Sequence, residues 1–400
     1  MENNIVVLAF SGGLDTSYCG KYLQEEMGLE VHSVIVNTGG FSEKELAGIE
    51  SRAKLLGTSR HVAIDCTQEF YEKGIRYLVW GNVLRNGNYP LSVSAERFFQ
   101  AKAIAEYARK TGAKYIAHGS TGAGNDQVRF DMVFQILCPG VEIITPIRDK
   151  RLSRKEEVEY LQSHGIPFSS KKAKYSINKG LWGTSVGGSE TLTSHLGLPE
   201  GAWPGQLTKK GSQEVALHFE KGELTGLDGE KMPPVEAIRK LETMASAYAI
   251  GRDVHVGDTI VGIKGRVGFE AAAASIIIKA HHLLEKHTLT KWQLQIKQQL
   301  SDWYGMFFHE GQYLDPVMRN IEAFLRNSQQ TVSGKVFVRL LPYRFVPTGI
   351  ESPNDLMRPE FAQYGEDNKA WNAVDAKGFI KITGNQMKLW HTVNKRVDKS

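Results

Sequence analysis

Ser11-Gly12-Gly13-Leu14-Asp15-Thr16-Ser17 follows a short apolar run, Ile5 to Phe10, and opens a stretch from Leu14 to Met27 that stops at Gly28. The run predicts a buried strand and the stretch a helix, so these residues form a tight strand-to-helix turn. Such a turn is an anion site. Glycines let the backbone approach oxygen atoms closely, free N–H groups point outward, and the helix dipole favours negative charge. Ser11, Thr16 and Ser17 add hydroxyls, and the expected ligand is a phosphate chain.

The spacing excludes two common phosphate loops. A Walker loop requires Gly-Lys followed by Ser or Thr, but Gly20-Lys21 is followed by Tyr22. A dinucleotide fingerprint fails because Gly122-Ala123-Gly124 has Gln127 where a third glycine belongs. SGGLDTS at the end of a first strand instead resembles the pyrophosphate loop of the N-type ATP pyrophosphatases. Those enzymes cleave ATP between the α- and β-phosphates and adenylate a substrate oxygen.

The chain has 400 residues, 41% apolar and 23% charged, with a net charge of +5. That length predicts two or three domains and a large core. The small net charge permits an anionic substrate without marking a nucleic-acid surface. Cys19, Cys66 and Cys138 form no C-x-x-C pair, which favours a reduced, cytoplasmic setting. The N-terminus lacks the pattern of a signal peptide, and no apolar stretch is long enough to span a membrane.

Strand and helix signals alternate through the first 165 residues. Val31 to Asn37, Arg60 to Asp65, Lys114 to His118 and Val141 to Pro146 read as strands. Ser42 to Glu45 and Ser153 to Glu156 read as capping boxes, and a long helix runs from Ala95 to Lys110. This pattern predicts an α/β fold, a doubly wound parallel sheet with its ligand beyond the carboxyl ends of the strands. From about residue 170 short strands and helices mix as in an α+β domain. The strands are Glu214 to Glu220, Val254 to Val261 and Lys335 to Leu341; the helices are Pro234 to Ala249, Thr290 to Asp302 and Pro316 to Asn327. The expected domains are 1–168 for nucleotide binding, 169–362 for substrate and assembly, and 363–400 as a C-terminal arm. An amphipathic stretch, Asn385 to Arg396, lies in that arm. It reads either as a segment reaching another subunit or as an exposed terminal helix.

A second Gly-rich motif, His118-Gly-Ser-Thr-Gly-Ala-Gly-Asn-Asp-Gln-Val-Arg-Phe130, follows the strand at Lys114 to His118. It packs Asn125, Asp126, Gln127 and Arg129 close together, and a guanidinium there can grip a carboxylate with two prongs. With SGGLDTS, this motif resembles argininosuccinate synthase. The resemblance extends through Tyr89 with Ser94, Tyr175-Ser176 with Ser185, Gly262 to Arg266, and Gly378 to Ile382. It implies an adenine nucleotide α-hydrolase-like N-terminal domain and an ATP-dependent, AMP-forming ligase. Citrulline's ureido oxygen would attack the α-phosphorus, and the aspartate amine would then displace AMP to give argininosuccinate.

Position by position, the resemblance implies that Ala9, Phe10, Ser11, Gly12, Gly13, Leu14, Asp15, Thr16 and Ser17 wrap the ATP phosphates, with Val36 and Gly119 at the nucleoside. Thr121, Asn125 and Asp126 would hold aspartate. Tyr89, Ser94, Asn125, Arg129, Ser176 and Ser185 would hold citrulline. Asp15, Asp126 and Arg129 are the implied catalytic residues. Mg²⁺ would travel with ATP, with no protein-built metal site, and a homotetramer is implied. A nucleotide sensor is the alternative of another class, but it would not need Asn125 to Arg129 intact.

The chain also departs from the family pattern. A usual glutamate becomes Gly257, another becomes Gly187, and a tyrosine becomes Phe269. Lost carboxylates and a lost phenol at the amino-acid end of citrulline open a second substrate reading: citrulline with its α-nitrogen acylated by acetyl or succinyl. His281, His282, Glu285 and His287 share a helical stretch. A solvated or interface helix is the simpler reading and a zinc site the alternative. Ala271 to Ala274 reads as close helix packing.

Overall fold

The computed structural model describes residues 4–168, 175–357, 360, 364 and 368–394. Its strands are β1 Ile5–Ala9, β2 Glu30–Asn37, β3 Arg60–Asp65, β4 Tyr115–Ala117 and β5 Glu142–Ile144; β6 Ser176–Gly180, β7 Gly183–Gly187, β8 Gln213–Glu220, β9 Glu223–Leu227 and β10 Glu230–Lys231; and β11 Arg252–Asp258, β12 Lys264–Glu270, β13 Gly334–Leu341 and β14 Arg344–Glu351. The first five form one parallel sheet in the order β3-β2-β1-β4-β5. The chain runs outward from β1 to β3, then crosses back to place β4 on the other side of β1. That reversal lies between β1 and β4, where ligands of open α/β sheets bind.

Alternation along β1 anchors the sheet on both faces. Val6 and Leu8 pack with Leu23, Ala53 and Leu56, while Val7 packs with Ile104 and Ala108 on the opposite face. The helices form as their end signals dictate. Ser42 accepts from the Glu45 N–H and the Glu45 carboxylate accepts from the Ser42 N–H at 2.7 Å, a reciprocal cap at the start of the helix Glu43–Leu56. Ser153 and Glu156 do the same for the helix Arg154–Ser163. Gly57 and Gly112 end their helices in the left-handed conformation.

Two antiparallel sheets follow, β10-β9-β8-β13-β14 and β11-β12-β7-β6. The second brings Ser185 of β7 opposite Phe269 of β12, and Gly257 of β11 opposite Gly265. The helix expected to end at Asp302 continues to His309. The expected strand at Val254 to Val261 is β11, which starts at Arg252 and stops at Asp258 before a tight turn.

The helix Ala272–Thr288 corrects one expectation. Ala271 to Ala274 are buried as close packing requires, but His281 and Glu285 are fully buried rather than solvated. His281 bonds Asn82 at 2.6 Å and Gln329 at 2.8 Å, and Lys297 meets Glu285 at 2.9 Å. The apolar residues Ile277, Ala280 and Leu284 turn that face inward, and the polar groups are satisfied by one another. Among the described residues no cluster of three metal-binding side chains converges.

Residues Met1–Pro353 form one compact unit and Asn354–Ser400 another. The expected boundary at 168/169 adjoins residues 169–174, and that at 362/363 falls within 361–363; both stretches lie outside the described residues. The second unit carries the helices Ala373–Thr383 and Asn385–Val393, neither with a buried residue. Arg396, the expected end of the amphipathic stretch, lies outside the described residues.

Candidate active site

The first loop is built as an open cradle. Gly12 takes a φ of +74°, a conformation that glycine adopts without strain. Gly13 then caps the helix Leu14–Glu25 without any side-chain bond, and the first intrahelical bond runs from the Ser17 N–H to the Gly13 carbonyl. The first-turn N–H groups are thereby left for a ligand. Ser11 and Thr16 face each other with their hydroxyl oxygens 3.3 Å apart. Ser17 lies behind the loop, fully buried, so its hydroxyl is not part of the cradle surface.

The second motif is half loop and half helix. Its glycines end at Gly124, and Asp126 begins a helix that runs to Leu137. Its N-terminus faces the first one across the sheet's switch point. His118 fixes the preceding turn: its Nδ1 accepts from the Ser120 N–H at 3.2 Å, and its Nε2 meets Asp131 at 2.7 Å. Gly119 makes the two loops touch. A Cβ there would sit 3.2 Å from the Asp15 backbone carbon and 3.3 Å from the Thr16 nitrogen.

Asp126 is held by two guanidiniums, Arg97 at 2.9 Å and Arg129 at 2.8 Å. Desolvation pushes its carboxyl up, but Arg97 and Arg129 outweigh it and hold the group below the usual carboxylate range. Arg129 is buried and also donates from Nε to the His309 carbonyl at 2.8 Å. Burial and the nearby Arg129 and Arg85 push the His309 imidazole far down, so the ring is neutral. A neutral ring can accept from Arg129 Nη2 at 3.4 Å instead of adding a second cation beside it. The same ring lies 3.2 Å from the Ser94 hydroxyl.

These elements line a cleft of about 1060 Å³ beyond the carboxyl ends of β1, β2 and β4. Ala9, Phe10, Ser11, Gly13, Leu14, Asp15 and Thr16 line one end with Val36 and Gly119. Thr121, Asn125, Asp126, Arg129, Tyr89 and Ser94 line the middle, and Ser176, Ser185 and Gly257 line the far end. Gly12, Ser17, Gly187 and Phe269 are absent from its walls. Phe269 is buried behind Tyr89, with the two ring centres 5.2 Å apart. Sequence reasoning did not single out Glu96, Arg97, His255 and His309 for this cleft. Glu96 and Arg97 follow Ser94 at a helix start, a signal that was available. His309 ends a long helix 180 residues from Arg129, and nothing local marks it.

Residues 5–167 match the family model described as arginosuccinate synthase N-terminal HUP domain. Residues 175–390 match the one described as arginosuccinate synthase C-terminal domain. The chain belongs to the argininosuccinate synthase family. The argininosuccinate synthase of Methanocaldococcus jannaschii is 36% identical over 395 residues, covering 98% of this chain and 99% of that protein. Those of Xanthomonas campestris pv. campestris and Pyrococcus furiosus are each 37% identical, over 99% and 96% of this chain and 100% and 93% of their own lengths.

One further group stands behind the cleft wall. Glu157, on the helix Arg154–Ser163, is buried, its Oε2 has no hydrogen-bond partner among the described residues, and it lies within electrostatic reach of Asp15 at the start of the phosphate loop's helix. Burial, then the Asp15 carboxylate, push Glu157 up to about 8. It is therefore protonated at neutral pH. Because the folded-state value is raised, the fold binds an extra proton between the ordinary glutamate range and about pH 8. Stability falls as pH rises through that window. Ionisation would also put a second negative charge beside the phosphate loop. The KM for ATP is expected to rise above pH 8 in the native enzyme. Glu157→Gln should keep the neutral-pH KM and lose that alkaline rise. An unchanged pH profile in Glu157→Gln would refute the role.

Proposed function

We propose that this chain is an ATP-dependent carbon–nitrogen ligase that joins L-aspartate to the ureido carbon of citrulline, giving argininosuccinate, AMP and pyrophosphate. The single observation that carries the reading is the junction of the two loops. Gly119 presses the second motif onto Asp15 and Thr16, so a phosphate cradle and the Asp126–Arg129 pair share one cleft. A sensor needs the cradle alone.

The reaction then follows from the placement. ATP phosphates lie on the N–H groups of residues 14 to 16, with Val36 and Gly119 against the nucleoside. Citrulline's carboxylate meets Arg129 with Ser176 and Ser185 nearby, and Tyr89, Ser94 and Asn125 complete its surroundings. Its ureido oxygen forms a bond to the α-phosphorus as the bond from that phosphorus to the bridging oxygen breaks, and pyrophosphate leaves. Aspartate, held by Thr121, Asn125 and Asp126, attacks the ureido carbon through its amine nitrogen. The carbon–oxygen bond to the adenylate breaks, AMP leaves, and the nitrogen sheds a proton. Positioning and the fixed positive charge of Arg97 and Arg129 supply the catalysis.

A divalent cation fits this site in one way. Asp15 is the carboxylate on the phosphate loop, and it lines the cleft. Mg²⁺ bound to ATP phosphates and one carboxylate matches that donor set, and it would screen the triphosphate's charge. A cytoplasmic setting is supported by three buried free thiols. A homotetramer is supported by the exposed Phe379, Ile382, Leu389 and Trp390 of the C-terminal helices.

The test uses citrulline with a heavy-oxygen label in the ureido group. Repeated turnover to pyrophosphate and AMP should require all three substrates, ATP and citrulline alone should give at most one pyrophosphate per site, and the label should appear in AMP. Unlabelled AMP, or ATP cleavage to ADP, would refute adenylation of that oxygen.

A further inference from the structure

The far end of the cleft, at β11 and β12, has one carboxylate in its wall, Asp258, and that one is paired with Lys264. Gly257 and Gly265 face each other across these strands and both line the cleft, so no Cβ narrows it there. Nor is the place of a side chain at position 257 empty. A Cβ on Gly257 would lie 2.9 Å from His255 Nε2 and 3.1 Å from Asn86 Nδ2. The imidazole has folded over that position, stacked on Tyr89 with ring centres 4.8 Å apart. His255 is 6% exposed, and its Nδ1 is buried without a hydrogen-bond partner among the described residues.

Four carboxylates are candidates to replace a glutamate at 257, and each is committed elsewhere. Asp253, whose charge reaches His255, accepts from Asn88 Nδ2 at 2.9 Å and from the Val254 N–H at 2.7 Å. Glu270 is buried, pairs with Arg252 at 3.2 Å, accepts from the Gly205 N–H at 3.0 Å, and does not line the cleft. Asp258 lines the cleft beside Gly257, but its carboxylate pairs with Lys264 at 2.6 Å at an exposed position. Glu190 accepts from Tyr175 at 3.1 Å and from Ser189 at 3.1 Å, away from the cleft wall. Cations are nearer. Arg266 lines the cleft and donates to the carbonyls of Glu190 and Thr193. Arg85, whose carboxylate neighbour Glu310 is 4.0 Å away, acts electrostatically on His255. Burial and Arg85 push His255 down to about 4, so the ring is neutral at physiological pH.

A free α-ammonium entering this end would meet a neutral imidazole and the Arg266 guanidinium, with the field of Arg85 behind the imidazole and each nearby carboxylate already paired or hydrogen-bonded elsewhere. A buried unpaired cation is among the costliest groups to desolvate. An amide nitrogen carries no charge, and its one N–H needs one acceptor, which a neutral imidazole nitrogen provides. We propose that the chain takes citrulline whose α-nitrogen is blocked as an amide, in preference to the free amino acid, with the acyl group lying between His255, Gly257 and Arg266. This rests on the ligase reading above and leaves the ureido chemistry unchanged. A dicarboxylic acyl group such as succinyl would place its second carboxylate beside Arg266, whereas acetyl would not use that charge.

The test measures aspartate-dependent pyrophosphate release from ATP with citrulline, N-acetylcitrulline and N-succinylcitrulline. An acylated substrate should exceed free citrulline in kcat/KM by about fiftyfold or more. A succinyl advantage over acetyl that shrinks at high salt would identify the carboxylate contact. Gly257→Glu should move the preference back toward free citrulline by about tenfold or more. Equal or better use of free citrulline by the native chain would overturn the proposal and leave the ligase reading standing. No pyrophosphate from any of the three would overturn both.

Discussion

Arg129→Leu is expected to lower kcat/KM for the citrulline-type substrate about a thousandfold and to destabilise the fold measurably. The guanidinium is buried and makes two well-placed bonds, to Asp126 at 2.8 Å and to the His309 carbonyl at 2.8 Å. Its remaining N–H groups are the ones left for a substrate carboxylate. Charge-assisted bonds of this type contribute roughly 1.5–3 kcal/mol each. Two lost to the substrate give about 4 kcal/mol, which at about 1.4 kcal/mol per tenfold is about a thousandfold. Removing one partner of a buried pair also leaves the other uncompensated, at a cost of about 3–5 kcal/mol. Asp126 keeps Arg97, so the lower end of that range applies. Arg129→Lys should not restore activity, because an ammonium cannot reproduce the planar fork that reaches Asp126 and His309 together. Steady-state pyrophosphate release and urea unfolding on the same variants separate the two effects. A variant that loses stability but keeps its kinetic constants would reduce Arg129 to a scaffold.

The parts of this site that are legible in the sequence are the ones made locally. SGGLDTS is bounded by an apolar run and a helix stop, and the strand, turn and helix fall where those signals put them. The capping boxes at Ser42 and Ser153 behave likewise, because a cap involves residues three apart. The second motif was harder to resolve. Its glycines argue for a loop as far as Gly124, but the helix start at Asp126 follows from no capping side chain: the Asn125 oxygen accepts instead from the Ile260 N–H at 2.8 Å, 135 residues away. The partners of Arg129 and Asp15 are remote in the same sense. His309 and Glu157 carry side chains that most often face solvent or titrate freely. Only the packing of whole elements turns them inward, where burial and a neighbouring charge fix their protonation. His281 and Glu285 show the converse error. Their spacing placed them on one face, but their polarity hid that the flanking Ile277, Ala280 and Leu284 made it the buried face.

Gly119→Val is expected to weaken ATP binding about a hundredfold while leaving the fold intact. The position is half-buried in the cleft wall, and its backbone needs no left-handed conformation, so the substitution brings no backbone strain. The obstacle is space. A Cβ would come within 3.2 Å of the Asp15 backbone carbon and Cβ, and within 3.3 Å of the Thr16 nitrogen. These atoms belong to the first turn of a helix and cannot rotate aside as a flexible side chain would. Alanine already needs a shift of a few tenths of an ångström; valine adds two methyl groups and forces the loops apart. N–H groups aimed at phosphate oxygens lose strength steeply with distance and angle, so a small displacement of residues 14 to 16 costs several bonds together. At roughly 1.5 kcal/mol for each weakened charge-assisted bond, two such losses give about a hundredfold. Gly122 is the control, because a Cβ there meets only the Arg148 side chain at an ordinary 3.5 Å. Gly122→Ala should bind ATP as the native chain does. Calorimetric titration with ATP, alongside thermal unfolding, compares the two. Native affinity in a folded Gly119→Val variant would mean that the contact between the loops does not shape the phosphate site, and the placement of both substrates in one cleft would lose its support.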